Sequence, residues 1–261
     1  MPKRLVITAS LVIYRNNADV LLKSVTSLLN SDSQLDVRLC IIDNSPSPEL
    51  GNIFKGLPVD YYYNNANVGF GKAHNLAISK CGVSDYHLVI NPDIYFEPNV
   101  ISELIDYLEN NRDVGLIQPK ILYPHGEVQY LCKRYPTFFA LFARRFLPKR
   151  FHFIVQSYLD FYEMRDMGYD KIAEVIYLSG CFMLFRRRCL DEIGYFDENI
   201  FMYLEDADIT LRMSKSYKTI FYPYVHIFHY WAKDSYKSFK LMLVNIQSAI
   251  YFFNKHGWKI F

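Results

Sequence analysis

Cysteine is scarce and unpaired in this chain of 261 residues: Cys40, Cys81, Cys132, Cys181 and Cys189 form no CxxC and no spacing of the kind used by zinc sites or secreted disulfide frameworks. They read as small buried hydrophobes of a reducing compartment. Charge of one sign is not in excess either, with 29 Lys+Arg against 27 Asp+Glu. That balance argues against a generally basic surface and leaves nucleic acid out of the expected partners. No run of about 20 uninterrupted apolar residues is present, so no membrane span is expected. Met1-Pro2-Lys3-Arg4-Leu5 leads straight into a strand-like run, without the apolar stretch and small-residue cleavage site of a leader. The known phosphate loops are missing as well. The turn from Asn65 to Asn75 carries Gly69 and Gly71 but no third glycine of a GxGxxG, and the Walker spacing before Lys72 is absent. No internal repeat or low-complexity tract is visible.

What is present is a half-apolar chain, 51% hydrophobic, long enough to bury one substantial core. Apolar and β-branched runs alternate with segments of helical spacing. Leu5 to Tyr14 reads as a strand, Val20 to Leu29 as a helix and Val37 to Ile42 as a strand. Val59 to Tyr63 follows as a strand, Lys72 to Lys80 as a helix, Tyr86 to Ile90 as a strand, Val100 to Leu108 as a helix and Val114 to Gln118 as a strand. This repetition predicts an α/β fold with a mostly parallel, doubly wound sheet, whose ligands sit beyond the carboxyl ends of the strands. Asp43, Asn67 and Asp93 fall at those ends. Gly69 and Gly71 would let backbone approach a ligand, and a helix starting near Lys72 would offer free N–H groups to a phosphate. The same glycines also suit a plain helix entry.

Two acidic clusters stand out. Asn91-Pro92-Asp93 closes the run His87 to Ile90, where Pro92 fixes φ and Asp93 can project toward a ligand, although the same residues make ordinary turns. Glu205-Asp206-Ala207-Asp208 opens a helical segment, where acids also favour the first turn for dipole reasons alone. Asp208 and Arg212, four residues apart, are spaced for a structural ion pair.

Val12-Ile13-Tyr14-Arg15-Asn16, Ile42-Asp43-Asn44-Ser45, Asn67-Val68-Gly69-Phe70-Gly71 with Asn75, Asn91-Pro92-Asp93, and Glu205 to Asp208 with Arg212 together resemble family 2 glycosyltransferases. They occur in that family's order, from Leu5 to about Ser238, and most resemble the rhamnosyltransferase-like enzymes of bacterial O-antigens, capsules and related surface polysaccharides. The resemblance implies a GT-A fold, a nucleotide-sugar donor, Mg²⁺ or Mn²⁺, and inversion at the anomeric carbon. It implies a donor site in which Asp43 meets the nucleobase above Val12 and Tyr14, Asn67 and Lys72 lie near ribose and phosphates, and Asp93 binds the metal. Asn91 replaces the first aspartate of the usual DxD, removing one negative charge. Asp206 matches the family's base, with Glu205 orienting it or binding acceptor hydroxyls, and Arg212 and Lys233 are expected at the acceptor or a phosphate. In Val225 to Trp231, strand alternation puts His226 and His229 on opposite faces, and His229 fits a metal ligand better, although a core histidine is the other reading.

The stretch Val128 to Leu159 has no acidic residue and interleaves Lys133, Arg134, Arg144, Arg145, Lys149 and Arg150 with phenylalanines. It suits a membrane headgroup boundary, or equally an acceptor-side subdomain with core phenylalanines and solvated cations. The expected organisation is a nucleotide-sugar-binding half (1–120), an acceptor and catalytic half of the same domain (121–238) and a C-terminal amphipathic helix (239–261). The expected function is inverting transfer of a sugar, rhamnose from dTDP-rhamnose by resemblance, to a glycan or lipid-diphosphate-linked acceptor, in the cytoplasm at the inner membrane face with peripheral membrane contact. UDP-hexose transfer and a non-catalytic nucleotide-sugar-binding homologue are the alternatives. A nucleotidyltransferase would need a Gly-rich basic loop that Val12 to Ala18 lacks.

Overall fold

The computed structural model describes residues 4–32, 34–147, 152–230 and 239–261. Its first half begins with β1 (Val6–Ile13), a nearly continuous apolar run buried on both faces, as a central parallel strand must be. Asn17 caps α1 (Ala18–Leu29) by accepting the N–H groups of Asp19 and Val20, and Leu21, Val25 and Leu28 form its buried stripe. There follow β2 (Asp36–Asp43), a 3₁₀ turn, β3 (Val59–Tyr63), α2 (Phe70–Lys80), β4 (Tyr86–Ile90), β5 (Ile94–Phe96) and α3 (Val100–Asn110). The second half contains β6 (Val114–Leu122), α4 (Phe138–Phe146), α5 (His152–Tyr162), β7 (Ala173–Glu174) and β8 (Phe182–Arg186). It ends with α6 (Arg187–Ile193), α7 (Glu205–Met213), β9 (Lys218–His229) and α8 (Phe239–His256).

One sheet runs through both halves in the order β3-β2-β1-β4-β8-β6-β9-β5, with β7 on β9. β3, β2, β1 and β4 are mutually parallel; β8 is antiparallel to β4 and to β6, and β6 and β9 are again parallel. The sheet is thus mixed but mostly parallel, as expected. The strand expected to end at Gln118 continues to Leu122, and the helix expected from Lys72 starts at Phe70. β8 has no counterpart among the expected strands. Its apolar run lacks alternation because both of its faces are buried, so periodicity gives no sign of it.

Beneath the sheet's centre lies a neutral polar chain. Thr8 Oγ1 bonds His87 Nδ1 at 2.8 Å, His87 Nε2 bonds Ser10 Oγ at 2.9 Å, and Ser10 bonds His74 Nδ1 at 2.7 Å. Burial pushes His74 down to about 3 and His87 well below the usual histidine value, so both rings are neutral. No helix among the described residues is long and apolar enough to cross a membrane.

Candidate active site

The turn after β4 is fastened from two sides. Asn91 N–H donates to Cys181 O at 2.9 Å, and Ser24 Oγ of α1 donates to Asn91 O at 3.3 Å. Asp93 O accepts Tyr230 N–H at 3.0 Å, which locks the turn to the end of β9. The β5–β9 pairing sets Ile94 opposite His229. Of the two histidines, His229 is buried and His226 is exposed, as the alternation requires. His229 Nε2 stands 3.4 Å from Asp93 Oδ1. Gln129 determines which ring nitrogen carries the proton. Its Nε2 donates to His229 O at 2.8 Å, so its Oε1 faces His229 Nδ1 at 2.9 Å as an acceptor. Nδ1 therefore carries a hydrogen, and in the neutral tautomer with that proton the Nε2 lone pair faces a carboxylate oxygen. In that tautomer an imidazole nitrogen and a carboxylate oxygen face each other, a donor pair that suits a divalent cation. Among the described residues no group of three His, Cys, Asp or Glu side chains converges, so a metal would need further oxygen ligands from its substrate.

At the end of β2, Asp43 is fully buried, accepting Ser45 N–H at 2.8 Å and the Tyr61 hydroxyl at 2.6 Å. Val12 is half-buried and Tyr14 exposed at the end of β1. Asn67 Oδ1 accepts Gly69 N–H at 3.1 Å. Gly69, at φ +88°, and Gly71 correct the expectation that these glycines admit a ligand. A Cβ on Gly69 would lie 2.3 Å from Phe201 O, and one on Gly71 would lie 2.8 Å from Phe196 Cβ, so protein makes the close approach. The first α2 amide is likewise taken, since Phe70 N–H donates to Phe201 O at 3.0 Å. Asn75 bonds both backbone groups of Phe196, and Lys72 Nζ pairs with Glu198 at 3.2 Å. This turn therefore fastens the loop that leads into α7.

That loop ends with Tyr203 (φ 72°) and Leu204 (φ 66°), two consecutive left-handed non-glycine residues immediately before Glu205. Such residues are strained, and they cluster at sites whose surroundings over-determine them. Asp206 Oδ2 accepts Gly180 N–H at 2.9 Å and Oδ1 accepts Ala207 N–H at 2.9 Å. Glu205 is buried, and its Oε2 meets no partner among the described residues. Burial first, and the Asp206 charge second, push its carboxyl well above the ordinary range, so it is neutral. Asp208 is fully buried and holds Arg212 at 2.9 Å, His256 at 2.7 Å and Lys255 at 2.6 Å. Arg212, expected at the acceptor or a phosphate, donates instead to Asp208 and to the carbonyls of Ile193, Gly194 and Tyr195. A planar guanidinium beside a fully buried carboxylate is drawn into that pair. Lys233 lies outside the described residues.

The two acidic clusters meet at adjacent residues of one chain segment, Gly180 holding Asp206 and Cys181 holding Asn91. Gln129, Gly180 and Cys181 went unnoticed in the sequence. Only Gly180 carried a signal, a glycine at the mouth of an apolar run. A Cβ there would lie 3.2 Å from Asp206 Cβ.

The sequence profile described as glycosyl transferase family 2 matches residues 11–194. The N-acetylglucosaminyl-diphospho-decaprenol L-rhamnosyltransferase of Mycobacterium tuberculosis is 26% identical over 211 residues, covering 74% of this chain and 66% of that protein. The rhamnosyltransferase WbbL of Escherichia coli K12 is 24% identical over 234 residues, covering 86% of this chain and 84% of WbbL. In fold, the crystal structure of GalNAc-T7 with UDP, GalNAc and Mn²⁺ superposes with a TM-score of 0.65 at 14% identity, over 88% of this chain and 44% of that one. The chain thus spans slightly under two thirds of the mycobacterial relative. With the profile match extending from β1 through the Asn91-Pro92-Asp93 turn to the end of α6, the chain belongs to glycosyl transferase family 2.

Proposed function

We propose that this chain is an inverting, metal-dependent glycosyltransferase that moves a sugar, rhamnose from dTDP-rhamnose, onto a lipid-diphosphate-linked glycan acceptor of a surface polysaccharide. The observation that carries the reading is the union of two carboxylates, Asp93 and Asp206, on either side of Gly180-Cys181. Asp93 and His229 fit a divalent ion whose remaining ligands are diphosphate oxygens. When bound, Mg²⁺ or Mn²⁺ supplies positive charge to the leaving diphosphate. Val12 and Tyr14 line the nucleobase end over the buried Asp43, and Asn67 and Asn91 lie on the sugar-phosphate path, with Lys72 reaching it only by leaving Glu198.

Asp206 takes the proton of the acceptor hydroxyl as its oxygen bonds the anomeric carbon. The bond from that carbon to the diphosphate breaks on the opposite face, its electron pair leaves with the diphosphate, and the configuration inverts. Glu205 is protonated and buried, so it supports Asp206 from behind rather than replacing it. The rhamnosyl donor and the diphospholipid-linked acceptor rest on the names of the mycobacterial and E. coli relatives.

Peripheral membrane contact is supported by an exposed aromatic patch. Phe138 and Phe142 of α4 stack with ring centroids 6.0 Å apart, Trp258 lies 6.4 Å from Phe138, and Ile260 and Phe261 are exposed beside them. The cations Lys149 and Arg150 and the side chain of Arg145, named for the same contact, lie outside the described residues.

Calorimetry with a panel of nucleotide sugars, in Mn²⁺ and in chelator, tests the reading. Donor binding in Mn²⁺ should fall about tenfold or more in chelator and equally in Asp93→Ala, because the carboxylate links protein to cation and cation to diphosphate. Equal wild-type affinity in both media would refute metal dependence, and no binding of any donor would refute the function.

A further inference from the structure

We infer that Lys133 is the cation of a phosphate subsite on the acceptor side of the cleft, taking a phosphate or diphosphate group carried by the acceptor. The inference rests on the glycosyltransferase reading and adds to it where the acceptor's charge is held. Lys133 follows β6, and its N–H donates to Tyr177 O at 3.0 Å, three residues before Gly180. Its ammonium lies 4.3 Å from the centre of the Tyr177 ring, and the residue is 6% exposed. Among the described residues no carboxylate pairs with it. The other inward-facing cations differ in this respect, since Arg186 holds Glu109 and Arg212 holds Asp208.

An ammonium taken out of water without a counter-ion is unfavourable, and one aromatic face offsets only part of the loss. A second orphan lies close by. Tyr162 O accepts the N–H of Arg134, the residue after Lys133, at 2.9 Å, and the Tyr162 hydroxyl is buried with no partner among the described residues. A native protein rarely buries a hydroxyl without a use for it. The charges of Arg144, Asp206 and Glu163 act on both Lys133 and Tyr162, which places the two groups in one electrostatic neighbourhood with the proposed base. The Cys181 thiol feels the same charges: burial first, then Asp93 and Asp206, push it up to about 12, and the Ser179 hydrogen bond and the Lys133 charge oppose them.

The chemistry favours a phosphate. A compact ammonium acts as a point charge toward phosphate oxygens, and a phenol adds one donor beside it. A neutral sugar hydroxyl would leave the charge uncompensated. Burial, followed by Arg144, draws the Lys133 ammonium down to about 8, so it is largely charged at neutral pH and available to such an anion.

The test uses the full chain, with geranyl diphosphate as the acceptor-side probe and dTDP with Mn²⁺ filling the donor side. The wild type should bind dTDP–Mn²⁺ and, with dTDP–Mn²⁺ saturating, should also bind geranyl diphosphate. Lys133→Met should weaken geranyl diphosphate by about tenfold or more, leave dTDP within about twofold, and melt no lower than wild type. Tyr162→Phe should weaken the same probe by about three- to fivefold. If Lys133→Met weakens dTDP instead, the anion is the donor's and the acceptor-side subsite is overturned. Unchanged affinity for both ligands, or a lower melting temperature of Lys133→Met, which would reveal a protein partner for the ammonium, would overturn the subsite. Wild-type binding of dTDP–Mn²⁺ without geranyl diphosphate defeats only this inference, whereas failure to bind dTDP–Mn²⁺ at all defeats the dTDP-sugar donor of the reading beneath it.

Discussion

Between β1 and β4 the buried polar groups, Asp43 apart, are neutral. Thr8, Ser10, His74 and His87 bond one another in a single chain that leaves His74 Nε2 without a partner among the described residues, and the strand ends carry the candidate ligands outward. Around α7 the buried groups are ionisable. Glu205 and Asp208 lie within a helix turn of the proposed base, Lys133 packs on the Tyr177 ring, and Asp208 gathers Arg212, Lys255 and His256. The β1–β4 region is thus an apolar scaffold that presents residues, and the α7 region is a field of charges held in place by ion pairs. The difference teaches where damage should appear. Changes at strand ends should alter binding, whereas changes around α7 should alter turnover or the attachment of α8.

The largest effect expected on that division is at Asp206. Asp206→Asn is nearly isosteric and cannot take the proton, so kcat should fall by ~10² to 10⁴ while donor affinity stays near wild type. Single-turnover kinetics with donor titration measures both, and residual product should remain inverted. Undiminished kcat in Asp206→Asn with loss in Glu205→Gln would move the base by one residue and break the argument from burial.

Next in size is the ionic clamp. Asp208→Asn leaves Lys255, His256 and Arg212 facing an amide, and breaking a buried pair in this way costs roughly 3 kcal/mol, the low end of the range because Lys255 is partly exposed. Urea unfolding would read it. Burial alone would raise the Asp208 carboxyl, but Lys255, Arg212 and His256 together hold it below the usual aspartate value. A folded value below the unfolded one means stability that is complete above about pH 4 and is lost as the pH falls further. The wild type should therefore lose melting temperature below that pH more steeply than Asp208→Asn, and parallel acid profiles would show the clamp to be idle.

The smallest effect sharpens the comparison at the surface. Phe142→Ser with Trp258→Ser should reduce sedimentation with anionic vesicles, at roughly 1 kcal/mol per partly inserted ring, and leave donor affinity unchanged. Unaltered sedimentation of the double variant would remove the aromatic patch from the membrane reading.

Much of the donor half was legible because its signals are local. Strand runs, the Asn17 cap, the Asn91-Pro92-Asp93 turn and the alternation that separates His226 from His229 all lie within a few residues of one another. The family resemblance extended that reading to Glu205 and Asp206, but not to their surroundings. Gly69 and Gly71 show the limit. Their sequence says only that a side chain is unwelcome, and it took the fold to show that Phe201 and Phe196, rather than a ligand, occupy the space.

By itself the sequence determined the alternation of strands and helices, the carboxylates at Asp93 and Asp206, and the family to which the chain belongs. Only the tertiary structure decided that Gly180 holds Asp206 across 26 residues, that Gln129 orients His229 across 100, that Arg212 serves Asp208, and that Lys133 is buried with no carboxylate partner among the described residues. The reason is one of range. Periodicity and turn chemistry act over a few residues, whereas burial, which sets the charge state of Glu205 and encloses the Lys133 ammonium, comes into being only when distant segments pack together.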